Sequence, residues 1–253
     1  MLMRLAVLSD IHGNLEALTA VLDHLARRRI DRYLCLGDVV GYGADPAPCL
    51  ERLQHLGALI VGGNHDVACV GKLALGWFND AARAALVWTR DQLSVTDLDS
   101  LRGLPLTATL GPCTLVHATL RHPERFDYLM DVAQAVDTMA SCGTLMCLLG
   151  HTHLAGFIEY DRRERRLLRL LTASGELGEV PYDDDPERLR YLLNPGSVGQ
   201  PRDGDPRACL AVLDTEARQV AVERVPYDVV SAQRKIRDAG LPAFLADRLA
   251  IGR

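Results

Sequence analysis

Along the first sixty residues the hydrophobic pattern alternates between two periods. Met3 to Leu8 forms an apolar run of strand length, after which Leu15, Leu18, Val21, Leu22 and Leu25 recur at helical spacing behind Asn14, a natural N-cap. Tyr33 to Leu36 reads as a second short strand, Pro46 to Leu56 as a helix opened by proline near its first turn, and Leu59 to Val61 as a third strand. Such a β-α-β-α-β order implies parallel strands with right-handed crossovers in a layered α/β core.

From Asp66 to Leu104 the pattern is mostly helical, most clearly over Asp80 to Leu93. Strands are predicted at Thr107 to Leu110, Cys113 to Val116 and Thr144 to Leu149, with a helix near Val132 to Met139 before the last. Beyond His153 the chain turns antiparallel: Phe157 to Tyr160 and Leu167 to Leu171 make a hairpin around the charged turn Asp161 to Arg166. Thr172 to Arg188 reads as an exposed loop, with Asp183, Asp184 and Asp185 as a solvated turn. Strands at Ala208 to Leu213 and Val220 to Val225 precede a terminal helix from Val229. No internal repeat and no long linker divides the chain. One domain over 1–253 is expected, with a mostly helical insertion at about 66–104 and a C-terminal helical tail at about 229–253.

Composition narrows the class. Of 253 residues 48% are hydrophobic and 24% charged, enough apolar content to exclude disordered and low-complexity chains. A formal net charge of -5 argues against strong non-specific nucleic-acid binding or a grip on anionic lipid through a basic surface. The seven cysteines are scattered, form no CxxC pair and in several cases lie in apolar runs, as expected of small core residues in a reducing cytoplasm. The N-terminal apolar run ends at Asp10 and His12, too early for a signal peptide. No stretch approaches the roughly 18 apolar residues of a membrane span. A cytoplasmic protein with no membrane partner is expected.

Candidate chemistry gathers at strand ends. Four predicted strands run into short polar clusters: Ser9-Asp10-Ile11-His12-Gly13-Asn14, Gly37-Asp38, Gly62-Gly63-Asn64-His65-Asp66 and Gly150-His151-Thr152-His153. A fifth ends at His117. Ligands of open α/β sheets collect beyond the carboxyl ends of the strands, so clusters distant in sequence can converge on one pocket. Asp10, His12, Asp38, Asn64, His117, His151 and His153 are of types that suit borderline and hard divalent metals such as zinc, manganese or iron. Seven ligands are too many for one tetrahedral ion but suit two ions sharing a carboxylate, the clamp that stabilises in-line displacement at phosphorus. Gly13, Gly37, Gly63 and Gly150 fit the sharp exits such loops need.

In this order, and each after an apolar strand, Asp10-x-His12, Gly37-Asp38, Gly63-Asn64-His65-Asp66, His117 and Gly150-His151-x-His153 resemble the five-block signature of the calcineurin-like metallophosphoesterase superfamily. The turn Asn194-Pro195-Gly196-Ser197-Val198-Gly199 resembles a motif of its small prokaryotic phosphodiesterase branch. The resemblance implies an α/β fold, a four-layer α/β/β/α sandwich with mixed sheets. It implies that Asp10, His12 and His153 bind one metal, that Asn64, His117 and His151 bind the other, and that Asp38 bridges. His65 would lie near the leaving group as general acid or electrostatic stabiliser. The implied reaction is dinuclear-metal-dependent hydrolysis of a phosphate ester, foremost a phosphodiester, by metal-activated hydroxide. The two divalent ions would be manganese, zinc, iron or nickel, and the substrate a phosphorylated small molecule or nucleotide. A phosphomonoesterase or a dinucleoside polyphosphate hydrolase is the alternative among enzymes. From another class comes a non-catalytic binding scaffold of the same fold, against which the presence of His65 argues.

One departure is informative. Protein Ser/Thr phosphatases of the superfamily carry a GDxxDRG block, whereas here Gly37-Asp38-Val39-Val40-Gly41-Tyr42-Gly43 puts Gly41 where the second Asp would stand. His65 is thereby left with no assigned carboxylate partner, and the protein-phosphatase reading is disfavoured. His24 and His55 fall on predicted helices as surface or interhelical residues. Arg162, Arg163, Arg165 and Arg166 read as a solvated turn. Candidate substrate contacts are Arg202, because a guanidinium suits bidentate phosphate recognition, Asn194 in the family-like turn, and His122 in the loop after His117. Asn194 could equally be an Asn-Pro turn initiator, and His122 a plain surface loop residue.

Overall fold

Strands β1 (Arg4–Leu8), β2 (Arg32–Cys35) and β3 (Leu59–Ile60) alternate with helices α1 (Leu15–Leu25) and α2 (Pro46–His55), and the three strands pair in parallel as the hydrophobic pattern predicts. The computed structural model describes residues 2–172 and 178–253. Helices α3 (Asn64–Cys69), α4 (Asp80–Gln92) and α5 (Val95–Arg102) fill the stretch before β4 (Thr107–Leu110) and β5 (Cys113–Val116). Then come α6 (Val132–Ser141), β6 (Met146–Leu148), the hairpin β7 (Gly156–Asp161) and β8 (Arg166–Thr172), and β9 (Glu179–Pro181). The chain continues through β10 (Leu189–Asn194), β11 (Ala208–Asp214) and β12 (Gln219–Val225) to α7 (Val229–Asp238) and α8 (Ala243–Asp247).

Among the described residues the strands form two six-stranded mixed sheets, ordered β3-β2-β1-β11-β12-β9 and β4-β5-β6-β10-β7-β8. The central strands are largely apolar because both of their faces are covered. In β1, Leu5 and Val7 pack toward the second sheet against Phe157, Tyr191 and Leu193, whereas Ala6 and Leu8 pack under α1 and α2. Ala135 and Met139 of α6 cover the outer face of the second sheet at Val116, Cys147 and Leu192. Helix, sheet, sheet and helix thus stack as four layers. All seven cysteines are free and buried. Among the described residues no helix is long and apolar enough to cross a membrane.

Two strands depart from the expected exposed loop and the turn after it. Glu179–Pro181 forms β9, an edge strand of the first sheet paired with β12. With three residues and only Val180 buried, it has no periodicity to read. Residues 173–177 of the expected loop lie outside the described residues. The acid run Asp183 and Asp184 is exposed, as expected. Leu189–Asn194 is β10, buried along its whole length between β6 and β7. Arg190 interrupts its apolar run but is buried too, because its guanidinium donates to the carbonyls of Pro186, Leu189 and Cys142.

Candidate metal centre

The carboxyl ends of β1, β2, β3, β5 and β6 converge, and the loops leaving them are zipped together by backbone hydrogen bonds. Asp10 N donates to Gly37 O at 3.0 Å, His12 N to Asp38 O at 2.9 Å, and Gly150 N to His117 O at 2.9 Å. Asp10, His12, Asp38, His151 and His153 all adopt left-handed backbone conformations, with φ between 50° and 66°. Each such residue costs roughly 1–2 kcal/mol relative to the right-handed form, strain that concentrates where a fold must present side chains from a sharp turn. Close approach adds a further constraint at Gly63, where a β-carbon would lie 2.1 Å from Asp38 Oδ1.

Asp10, His12 and His153 form one cluster and are almost fully buried. His12 Nδ1 lies 3.2 Å from Val40 O, and His153 Nδ1 lies 2.6 Å from Gln200 O. A carbonyl oxygen can only accept, so both Nδ1 atoms carry the proton and both Nε2 atoms present bare lone pairs. Those two Nε2 atoms face each other at 3.2 Å, with Asp10 Oδ1 3.3 Å from His153 Nε2 and without any hydrogen-bond partner. Burial holds both imidazoles far below the usual histidine range, so neither supplies a proton to separate them. A cation satisfies all three atoms at once. The carbonyl-oriented rings are the arrangement that metal-binding histidines use. The other oxygen of Asp10 accepts from Ser9 Oγ at 2.6 Å and His151 N at 3.1 Å, which fixes the carboxylate.

Asp38, His117 and His151 form the adjoining cluster. His117 Nδ1 is held on Leu36 O at 2.7 Å, so its Nε2 points at His151 Nδ1, 3.2 Å away, and at Asn64 Oδ1, 3.1 Å away. Asp38 lies between the clusters: its Oδ2 is 3.6 Å from His12 Nε2 and 3.4 Å from His117 Nε2, while Oδ1 accepts from His65 N at 2.8 Å. Burial disfavours charge on both partners, yet the Asp38 carboxylate lifts His117 to about 9, and His117 with His65 holds Asp38 well below the carboxylate range. Burial pushes Asp10 up to about 6 and His151 down to about 3. This donor set of imidazole nitrogens, carboxylates and an amide oxygen fits zinc, manganese, iron or nickel.

His65 lies in the first turn of α3, one residue after Asn64, and lines a cleft of about 450 Å³ together with Asn64 and His151. Its Nδ1 is buried without a partner, and burial pulls the imidazole down to about 4. A carboxylate oxygen of Asp38 lies within 4.8 Å of a His65 ring nitrogen, and Tyr42 packs on the ring at 4.4 Å between centroids, the tyrosine ring lying 4.5 Å from His12 as well.

The expected substrate contacts separate. Asn194 is buried, with Nδ2 donating to Gly150 O at 2.9 Å and Thr152 Oγ1 at 3.0 Å and Oδ1 accepting from Gly196 N, so it braces the loop that carries His151 and His153. Arg202 follows Gln200, the residue that orients His153; its N donates to His153 O and its Nε is buried without a partner. His122 stands apart from the metal cluster, on the surface beside Glu124 Oε1 at 3.4 Å. Asn14 caps α1 through Ala17 N, as its position suggests. Sequence reasoning did not assign Asp66, which accepts from Gly63 N and Val40 N and ties the second and third loops together. Its place three residues into α3, the acidic position of a capping box, was the available signal. Gln200 and Leu36 act through backbone carbonyls and leave no such signal.

Buried aspartates and histidines at the strand ends of two packed mixed sheets, with paired lone pairs that need a cation, define the metal-dependent phosphoesterase class of site. A family model, the calcineurin-like phosphoesterase superfamily domain, matches residues 3–218, and the chain belongs to that superfamily. It is similar to a metallophosphoesterase from Sphaerobacter thermophilus, with 38% identity, a TM-score of 0.84 and 100% of each chain covered. It is also 38% identical over 253 residues to the uncharacterized protein MJ0912 of Methanocaldococcus jannaschii, covering 98% of each. The hypothetical protein PH1004 of Pyrococcus horikoshii shares the fold, with a TM-score of 0.77 at 22% identity, over 99% of this chain and 98% of that one.

Proposed function

We propose that the protein is a dinuclear-metal-dependent phosphodiesterase. The observation that carries this reading is the pair of bare Nε2 atoms of His12 and His153, 3.2 Å apart beside the unpartnered Asp10 Oδ1, next to a second cluster joined to it by Asp38. Asp10, His12 and His153 would hold one ion, Asn64, His117 and His151 the other, and Asp38 both. Two divalent ions so held lower the pKa of bound water and offset the charge that develops on phosphoryl oxygens.

The chain's own groups supply the rest. His65, neutral near pH 7, donates a hydrogen bond toward the leaving oxygen. Arg202, with its buried Nε unpartnered, donates to a non-bridging phosphoryl oxygen. Asn194 acts by positioning His151 and His153. Residues 1–253 are taken as one domain, supported by the tail, where Gly252 O accepts from Gly204 N at 2.9 Å, close to the loop that carries Arg202.

The test is turnover of bis(p-nitrophenyl) phosphate by protein loaded with manganese, zinc, nickel or iron. Hydrolysis that disappears in Asp38→Ala supports the reading. No hydrolysis of mono- or diesters with any of the four metals overturns it.

A further inference from the structure

The cleft beside the metal cluster has a composition that the metal chemistry does not require. The chain has two tryptophans, seven tyrosines and four phenylalanines, only 5% of its residues. Five of these line this one cavity: Tyr42, Trp77, Phe78, Phe126 and Tyr128. Phe78 stands edge-on to His65 with centroids 5.0 Å apart, and Tyr128 stacks on His151 at 3.9 Å and 24°. Packing against ligand and catalytic rings accounts for these two contacts, but not for what is left open.

Trp77 is 83% exposed and Tyr128 45% exposed, although both border a cavity where a ligand can cover them. Leaving an indole in water forgoes the burial that such a side chain ordinarily gains. Tyr128 has His151 against one face of its phenol ring, so the other is available as a platform. Trp77 sits on a single 3-10 turn, Leu75–Trp77, none of whose residues is buried, so its indole is not needed to hold that turn in the core. The cavity, about 450 Å³, is within the range of small-molecule sites. Its charged lining residues, Glu124, Arg125 and Asp127, give no excess of positive charge. A glycerol group or a further phosphate would find little to bind here, whereas a planar ring would find aromatic faces.

We propose that this cavity binds a planar aromatic group of the ester, stacked on Trp77 and Tyr128, so that the substrate class is nucleoside phosphodiesters rather than glycerol phosphodiesters. The proposal rests on the phosphoesterase reading for its catalytic arm only. Stacking is sequence-tolerant among bases because every base has a π face, and loss of one aromatic partner weakens binding about tenfold.

The test compares adenosine 2′,3′-cyclic phosphate with glycerol 1,2-cyclic phosphate, which share the five-membered cyclic phosphate, the adenosine ester adding a ribose and the base. Metal-loaded wild type is expected to prefer the adenosine ester in kcat/KM. Trp77→Ala lowers that value about tenfold, Trp77→Phe restores most of it, and the glycerol ester is unaffected by either. Equal turnover of the two esters, or a Trp77→Ala loss shared by both, overturns the proposal. A second arm needs no turnover: in Trp88→Phe protein, where Trp77 is the remaining tryptophan, adenosine 5′-monophosphate quenches the indole fluorescence saturably and glycerol phosphate does not. If bis(p-nitrophenyl) phosphate is hydrolysed but neither cyclic ester is, the substrate-class proposal fails while the phosphoesterase reading stands; if no ester is hydrolysed, that reading fails and the quenching alone decides the cavity. No saturable quenching then overturns this proposal as well.

Discussion

Gly41 packs directly against the ring of His65, and a β-carbon at Gly41 would lie 2.4 Å from His65 Nδ1. The position where some relatives carry a supporting aspartate is therefore sterically closed, and with a φ of +87° it also favours glycine. Burial holds His65 at about 4, and cations held beside it would push it lower still. A group held that far down is neutral at pH 7, and its proton is lost as pH rises through about 4 rather than through 7.

In the proposed reaction His65 would therefore act as a neutral donor. His65→Ala is expected to lower kcat by about 10²–10³, as for loss of one transition-state hydrogen bond. His65→Gln, which keeps an N–H, should retain clearly more activity than the alanine variant. The wild-type kcat should not decline between pH 6 and 8 through loss of a His65 proton. A descending limb near pH 7 that vanishes in His65→Gln contradicts this role.

If the clusters hold metal as proposed, Asn194 contributes to binding through the loop it braces rather than as a ligand. Its amide holds Gly150 O and Thr152 Oγ1, the backbone and hydroxyl that flank His151. Outer partners of metal ligands typically contribute 10–100-fold in affinity, so Asn194→Ala is expected to weaken metal binding about tenfold or more. Competition against a chelator measures this, and unchanged affinity contradicts it.

The β7–β8 turn gives a pH prediction away from the site. Asp161 accepts from Arg163 N, Glu164 N and Arg188 Nε, and these bonds hold its carboxyl below the ordinary 3.8. Its contribution to stability is present above that value and is lost as pH falls through the depressed pKa. Asp161→Ala should lower Tm at pH 7, and the difference from wild type should shrink toward pH 2. A difference that stays constant through that range contradicts the assignment.

Where the chain's chemistry repeats with its periodicity, it could be read directly. The β1 to β3 alternation follows from apolar runs buried on two faces, and the ligand residues follow those runs at the strand ends. Asp10, His12, Asp38, Asn64, His117, His151 and His153, taken together as candidates from sequence, lie together in space. Three features were not legible. Arg190 hid β10 because its burial depends on carbonyls supplied by residues as distant as Cys142. The histidine tautomers depend on carbonyls of Leu36, Val40 and Gln200, which are properties of backbone geometry and not of side-chain type. The aromatic cleft draws on Tyr42, Trp77 and Tyr128 from three separate connections, a juxtaposition that only the fold creates.

The most direct test of the two-ion account is metal stoichiometry. Protein stripped with chelator and titrated with manganese, then desalted for elemental analysis, is expected to hold two ions per chain. His153→Ala, which removes a ligand from one cluster, should reduce this toward one ion. Asp38→Ala should weaken both sites. Wild-type protein that retains no stoichiometric divalent ion contradicts the account.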